Sequence, residues 1–341
     1  MRFERPILLL TTTVLVAGCG GPGPSPALST SASATTSASP DPAIEVAALL
    51  SERPVVRPSG GESFVNPGLV VRSGDRLHML TNSFSRYPGA AAVTHLTSAD
   101  GVGWQRVGGG PVLRSEQVPW AHETFTTSFL TAGYRAEDRT WAAYGYTYEG
   151  PTSEGTIWRA TAPGLDGPWR VDPTPVLEPG PEGSWDSVRV AEPSLVRTDD
   201  GLQLFYTGFD EEGVGRIGVA NSTDGISWTK RAQPVFEGEQ PWDGGSVGNP
   251  QVARTADGYV MVYRTEGSGF GFGLARSPDG TIWEASPANP VMDEGRSPSS
   301  EPFWQSEAVM IDDELRWWLE VGFGSATTEL YAYRLDVDEA W

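Results

Sequence analysis

Residues Trp185 to Gly208 read WDSVRVAEPSLVRTDDGLQLFYTG. A Trp-Asp pair leads into a half-buried strand carrying Glu192. The Asp-Asp-Gly turn at Asp199 to Gly201 then reverses the chain into a second strand of alternating apolar and polar residues. An Asp-Gly turn between alternating strands supplies the left-handed backbone that a tight β-hairpin needs. The hairpin recurs. Asn249-Pro250-Gln251-Val252 follows Glu192-Pro193 at the same offset at which Trp242-Asp243 follows Trp185-Asp186. Recurrence at one fixed offset marks a repeat architecture, so function has to be read repeat by repeat.

Further landmarks extend the period in both directions. The pattern S-x-D-G-x-x-W occurs at Ser98 to Trp104, Ser222 to Trp228 and Ser277 to Trp283, with a variant, PGLDGPW, at Pro163 to Trp169. A Pro-Val-apolar triplet begins at Pro111, Pro175, Pro234 and Pro290, at nearly even intervals. About four strands in each such interval make propeller blades rather than a sandwich. A last repeat starts near Ser306 and has no triplet of its own. Pro54-Val55-Val56, which precedes Pro111 by the offset of the Trp-Asp pairs, supplies it. The reading is an all-β chain folded as a single five-bladed propeller of four-stranded antiparallel blades, its ring closed by an N-terminal strand. Closure also hides sheet edges that invite aggregation. The repeated Asp-Gly turns and their tryptophans are read as structural, setting the third hairpin and packing between blades.

Composition agrees. Gly 41 and Pro 28 suit many short strands joined by turns, and Trp 13 is more than a core of this size needs, so some tryptophans line a surface or pocket. A formal net charge of −20 argues against nucleic-acid backbones and anionic membrane surfaces as partners, since like charges repel. The N-terminus carries Arg2 and Arg5, an apolar run from Ile7 to Leu15, then Val16-Ala17-Gly18-Cys19. The run is too short to span a bilayer and has the form of an export signal. Ending on Cys19, it resembles a bacterial lipoprotein signal, which implies lipidation of that cysteine and attachment to the extracytoplasmic face of the cell membrane. Cys19 is the single cysteine, so no intrachain disulfide forms. The expected organisation is signal 1–18, a flexible Gly/Pro/Ser/Thr/Ala tether 19–43 and the propeller 44–341.

The stretches WDSVRVAEPSLV, LQLFYTG, IGVANSTDGISW, DGPW (Asp166 to Trp169) and WDGGSVGNPQVA resemble glycoside hydrolase families 43 and 32, which include arabinanases, β-xylosidases and invertases. The resemblance covers nearly the whole propeller. It implies an active site at one end of the central channel, built from the first strands of successive blades, and a carbohydrate substrate of arabinan, xylan or fructan type.

Aligned on their first strands, the repeats place Asn66, Thr126, Glu192, Asn249 and Ser306 at one equivalent position, expected to converge on the channel. Inverting hydrolysis needs a carboxylic acid to protonate the leaving oxygen and a carboxylate to activate water. The resemblance places the general acid at Glu192. It also calls for a base in blade one and a second, pKa-tuning aspartate in blade two, where this chain has Asn66 and Thr126. An asparagine takes no proton from water, so candidates for the base are Glu123 and Glu307, with Asp186 and Asp243 reaching the channel mouth from loops, or His122, whose imidazole titrates near neutrality. Trp120, Trp185, Trp242 and Trp304 are candidate sugar-stacking faces. No metal or other cofactor is expected from a motif; no cluster has the spacing of a calcium loop. Asn66 keeps open a second function, a sugar-binding propeller without catalysis.

Overall fold

The computed structural model describes residues 46–86, 89–120, 129–136, 139–147, 155–266, 271–299 and 301–341. Five antiparallel sheets follow one another along the chain. Blade one is Phe64–Asn66, Arg76–Phe84, Ala92–Ser98 and Gln105–Arg106; Val70–Ser73 and Leu113–Arg114 add short pairings to its second and third strands. Blade two is Phe129–Arg135, Trp141–Tyr146, Ile157–Ala162 and Arg170–Val171, and blade three is Arg189–Thr198, Gly201–Phe209, Gly215–Ser222 and Thr229–Lys230. Blade four is Val247–Thr255, Gly258–Thr265, Gly271–Ser277 and Glu284–Ala285, with Met292–Asp293 on its third strand. Blade five is Phe303–Ile311, Glu314–Val321 and Glu329–Leu335.

The ring closes with mixed ends. Ala47–Leu49, an N-terminal strand that the sequence patterns do not single out, pairs antiparallel with Tyr333 to Leu335 and forms the outer edge of blade five. The Pro-Val-Val segment continues that edge, with Val55 N–H donating to the Leu330 carbonyl at 2.7 Å. The same bond recurs in every other blade: Val112 to Val93 at 2.8 Å, Val176 to Ile157 at 2.9 Å, Val235 to Ile217 at 2.8 Å and Val291 to Phe272 at 2.9 Å. The triplet is therefore the second half of each fourth strand. Its proline sits at a sheet edge, where the missing N–H removes no ladder bond.

The S-x-D-G-x-x-W turns are structural. Ser98, Ser222 and Ser277 each accept from the glycine N–H three residues on, at 2.9, 2.8 and 2.9 Å. Asp100, Asp224 and Asp279 each cap two further backbone N–H groups. Those donors hold the three carboxyls below the ordinary aspartate range, Asp224 at about 2. The turns also stitch neighbouring blades: Trp318 of blade five donates to the Gly101 carbonyl at 2.9 Å, and Tyr144 of blade two donates to that of Gly225 at 2.7 Å. Apolar packing lies mainly in the seams between blades. Val196, Phe205 and Val219 meet Val252, Met261 and Tyr263 between blades three and four; Leu274 and Phe272 meet Trp317 and Leu319 between four and five.

Candidate active site

The inner strands of blades three, four and five carry β-bulges at one level. The register shifts between Ala191 and Ser194, between Gly248 and Gln251, and between Phe303 and Ser306. Two residues in each lie outside the ladder: Glu192-Pro193, Asn249-Pro250 and Trp304-Gln305. Glu192 and Asn249 take left-handed backbone, φ 54° and 49°, a conformation that costs free energy and re-aims a side chain. The prolines are tolerated because a bulge has no ladder bond for an N–H to make. In blade five the counterpart of Glu192 is therefore Trp304, not Ser306. Ser306 matches Ser194 instead, because both lie just past the bulge.

The bulged residues meet in one buried network. Glu192 Oε2 accepts from the Thr207 hydroxyl and from the Asn249 backbone N–H, both at 2.8 Å. Its Oε1 accepts from Arg264 Nη2 at 2.8 Å and from Gln305 Nε2 at 3.4 Å. Gln305 also donates to the Tyr146 hydroxyl of blade two at 3.0 Å, and its Oε1 accepts from Asn249 Nδ2 at 2.6 Å. Its backbone N–H donates to Glu320 Oε2 at 3.1 Å. The Asn66 side chain of blade one lies beside Glu320 and favours its ionised form, while its buried Oδ1 has no partner. Ser306 Oγ lies 3.4 Å from Asn249 Oδ1. Every blade thus contributes a side chain.

Electrostatics divides these carboxyls. Burial pushes Glu192 up, but the Arg264 charge and the hydrogen bonds from Thr207, Arg264 and Asn249 overcome it, leaving Glu192 below the ordinary range. The neighbourhood expected of a general acid is absent: Glu192 is held ionised. Glu320 is pushed up by burial to about 8, although the Gln305 backbone N–H donates to it and the Asn66 and Thr328 side chains oppose the rise. Glu266 is raised by burial to about 7; Arg264 opposes this and Glu192 adds to it. Arg264 also donates Nη1 to the Trp304 carbonyl at 2.7 Å, and its guanidinium lies 3.8 Å from the Trp304 ring centroid.

Arg264, Glu266, Glu320 and Gln305 escape the reading of the sequence. Their signal is a charge or amide inside a strand whose residues are otherwise buried, as in VMVYRTE and WWLEV.

The remaining candidates fall elsewhere. Glu307 is buried at the seam with blade one, where the Val70 backbone bonds it, and its Oε2 has no partner. Asp186 is fixed by Lys230 at 2.7 Å, Tyr206 at 3.0 Å and Ser184 at 3.0 Å. Asp243 caps the Gln240 and Gly245 N–H groups at 2.8 and 2.9 Å. Asp186 thus ties its loop to the second and fourth strands of blade three, and Asp243 caps its own loop. Trp185 stacks on Tyr206 at 5.6 Å and covers Gly208 and Gly218; Trp242 covers Gly271 and Gly273 beside Tyr263. Trp120 donates to Thr156 at 3.1 Å and packs at the seam of blades one and two. Of the four tryptophans, Trp304 touches the network directly, half-buried between Arg264 and Phe323. Thr126, Glu123, His122 and Cys19 lie outside the described residues. Among the described residues, no group of three His, Cys, Asp or Glu side chains is placed to hold a metal.

The fold is that of the five-bladed glycoside hydrolase propellers. A solved glycoside hydrolase superposes with a TM-score of 0.66 at 15% identity, covering 82% of this chain and 90% of its own. A thermostable family-43 glycoside hydrolase superposes with a TM-score of 0.61 at 16% identity, covering 82% and 91%. The xylan β-1,4-xylosidase of Bacillus halodurans C-125 gives 0.62 at 18%, covering 86% of this chain and 56% of that one. In sequence, the chain is similar to the β-1,2-mannobiose phosphorylase of Thermoanaerobacter sp. (strain X514), 27% identical over 115 residues. That match spans 30% of this chain and 37% of the phosphorylase. No family model matches the chain.

Proposed function

We propose that this propeller is a glycoside hydrolase acting on furanose- or xylose-containing glycans of the arabinan, xylan or fructan type. The observation that carries the reading is the opposed ionisation of two carboxyls joined through Gln305, Glu192 held ionised and Glu320 held protonated. Two titratable groups pushed apart in this way define an acid and a base. They stand on blades three and five, which are not neighbours, with Gln305 bonded to both. Glu320 delivers its proton to the departing glycosidic oxygen. Glu192 takes a proton from the water that attacks the anomeric carbon. Asn66 supplies a free acceptor, its Oδ1, to a substrate hydroxyl.

The protein is further proposed to work outside the membrane, tethered through lipidated Cys19; Cys19→Ser then moves it from the membrane to the soluble fraction.

The test is hydrolysis of aryl α-L-arabinofuranosides, β-D-xylosides and β-D-fructofuranosides, with arabinan, xylan and levan, by wild type, Glu192→Gln and Glu320→Gln. Each is run with and without inorganic phosphate, because the similar curated protein is a phosphorylase. Turnover in water that falls by orders of magnitude in both variants supports the reading. Turnover that requires phosphate replaces it with phosphorolysis. Binding of a glycan by calorimetry without turnover leaves a sugar-binding propeller, the function to which Asn66 in blade one points.

A further inference from the structure

Arg264 is the one cation seen in the network among the described residues, and two carboxylates share it. Its Nη2 donates to Glu192 Oε1 at 2.8 Å and also to Glu266 Oε1. All three groups are buried, with side-chain exposures of 1% for Arg264, 6% for Glu192 and 7% for Glu266. The fold makes room for the second carboxyl. A Cβ on Gly248 would lie 3.0 Å from Glu266 Oε1, and one on Gly215 would lie 3.1 Å from Glu266 Cγ, so two glycines of adjacent blades leave the space Glu266 fills.

The two claims on Arg264 are unequal. Glu192 also has Thr207, Asn249 and Gln305 as donors, whereas Glu266 takes its hydrogen bond from Arg264. The charged groups facing Glu266 are Arg264, Glu192 and, further off, Arg189; Tyr146 also faces Arg264. One buried positive charge does not balance two buried negative ones, so a proton resides on the worse-solvated carboxyl, Glu266.

We infer that Glu266 is a positioning residue for Glu192: by sharing Arg264, it sets how much of the buried positive charge the catalytic carboxylate receives. While Glu266 carries its proton, Arg264 serves Glu192. When Glu266 ionises, Arg264 is drawn toward it and Glu192 loses part of its partner. The inference rests on the role assigned to Glu192 above, yet its central claim, the coupling of the two carboxyls, is measurable without substrate.

The experiment is carboxyl carbon-13 NMR of glutamate-labelled full-length protein from pH 4 to 9, with Glu192→Gln and Glu266→Gln used for assignment. In wild type the Glu192 resonance is expected to show a second inflection where Glu266 titrates, near 7. In Glu266→Gln that inflection disappears. Where the panel above finds turnover, the pH profile of kcat/KM loses its step near 7 in Glu266→Gln. Glu266→Ala, which leaves a hole and removes a partner of Arg264, loses a further tenfold or more that the glutamine variant recovers. A Glu192 resonance that titrates identically with and without Glu266 overturns the inference, whether or not the protein hydrolyses a glycan. Coupled resonances in a protein that hydrolyses nothing would sustain the coupling and overturn the hydrolase reading instead.

Discussion

Glu192 Oε2 accepts a hydrogen bond of 2.8 Å from the backbone N–H of Asn249, the residue at the same bulge one blade further on. Both residues hold positive φ, so two successive blades fold strained backbone at one level of the channel. The strain places a side chain oxygen of one blade on a backbone donor of the next. This bond, with the donors from Thr207 and Arg264, keeps Glu192 charged in a buried place.

Glu192→Gln is expected to cost activity more than stability. Breaking a buried ion pair by removing one partner costs about 3–5 kcal/mol when the other charge is left alone. Here Glu266 stays on Arg264 and the glutamine keeps an acceptor oxygen, so the loss should be smaller, about 1–2 kcal/mol in chemical unfolding. If Glu192 is the base, kcat falls by about 10²–10⁴ for activated and unactivated leaving groups alike. Equal activity in Glu192→Gln and wild type would remove Glu192 from the mechanism.

Glu320→Gln separates the acid from the base through the leaving group. A protonated carboxyl helps most when the departing alcohol is a poor leaving group. The variant should therefore lose about 10²–10⁴ on natural glycans and little on dinitrophenyl glycosides. The pH profile gives the sign. Activity needs the proton on Glu320, so kcat/KM of wild type should fall as pH rises through about 8, and that limb should vanish in the variant. A uniform loss across leaving groups, with the limb intact, would refute the assignment.

How much of this the sequence discloses follows from which interactions are local. The Asp-Gly turns, the Pro-Val triplets and the offset they share are short-range patterns, and they specify five blades and their closure. The outermost strand Ala47–Leu49 escapes notice because three residues, AAL, carry no alternation to detect. At the site, Glu192 stands out because a glutamate before proline on an inner strand is conspicuous. The bulges do not: Trp304-Gln305 lacks the proline of Glu192-Pro193 and Asn249-Pro250, so alignment by pattern sets blade five two residues late, on Ser306. Glu320 meets Gln305 within blade five, but Arg264, which also holds Glu266, reaches Glu192 and the Trp304 carbonyl across blade boundaries. No spacing in the chain encodes such a contact until the ring has closed.

Glu307→Gln should stabilise the protein, and only on the alkaline side. Burial at the seam of blades five and one pushes the Glu307 carboxyl well above its ordinary value, against a hydrogen bond from the Val70 backbone. A carboxyl whose folded pKa is raised contributes its stability in full below the unfolded value, and loses it as pH rises toward the folded one. That loss runs at up to about 1.4 kcal/mol per pH unit. A glutamine does not ionise, so the Tm difference between variant and wild type should be near zero at pH 4 and grow positive by pH 8. Glu266 and Glu320 add slopes of the same sign to both proteins, so the difference isolates Glu307. A difference that does not change with pH would show that Glu307 is not held neutral.

Gly218→Ala tests whether Trp185 is a packing residue or a sugar platform. The ring lies over the second and third strands of blade three, and a Cβ on Gly218 would come within 2.8 Å of Trp185 Cζ2 and closer still to its Cη2. Gly208 is as close to the same ring at Cζ3, so the indole has no slack on the side facing the sheet. Forcing a methyl into such a contact costs about 1–3 kcal/mol. It should also displace the indole, whose Nε1 donates to the Ala232 carbonyl at 3.2 Å. The prediction is a lowered Tm with a red-shifted tryptophan emission, and a KM for glycans unchanged within about twofold. Trp304→Ala supplies the contrast, because that ring lies on Arg264: it should raise KM and disturb the ionisation of Glu192. If Gly218→Ala weakens glycan binding as much as Trp304→Ala does, Trp185 belongs to the binding surface, and its stacking on Tyr206 is incidental to its role.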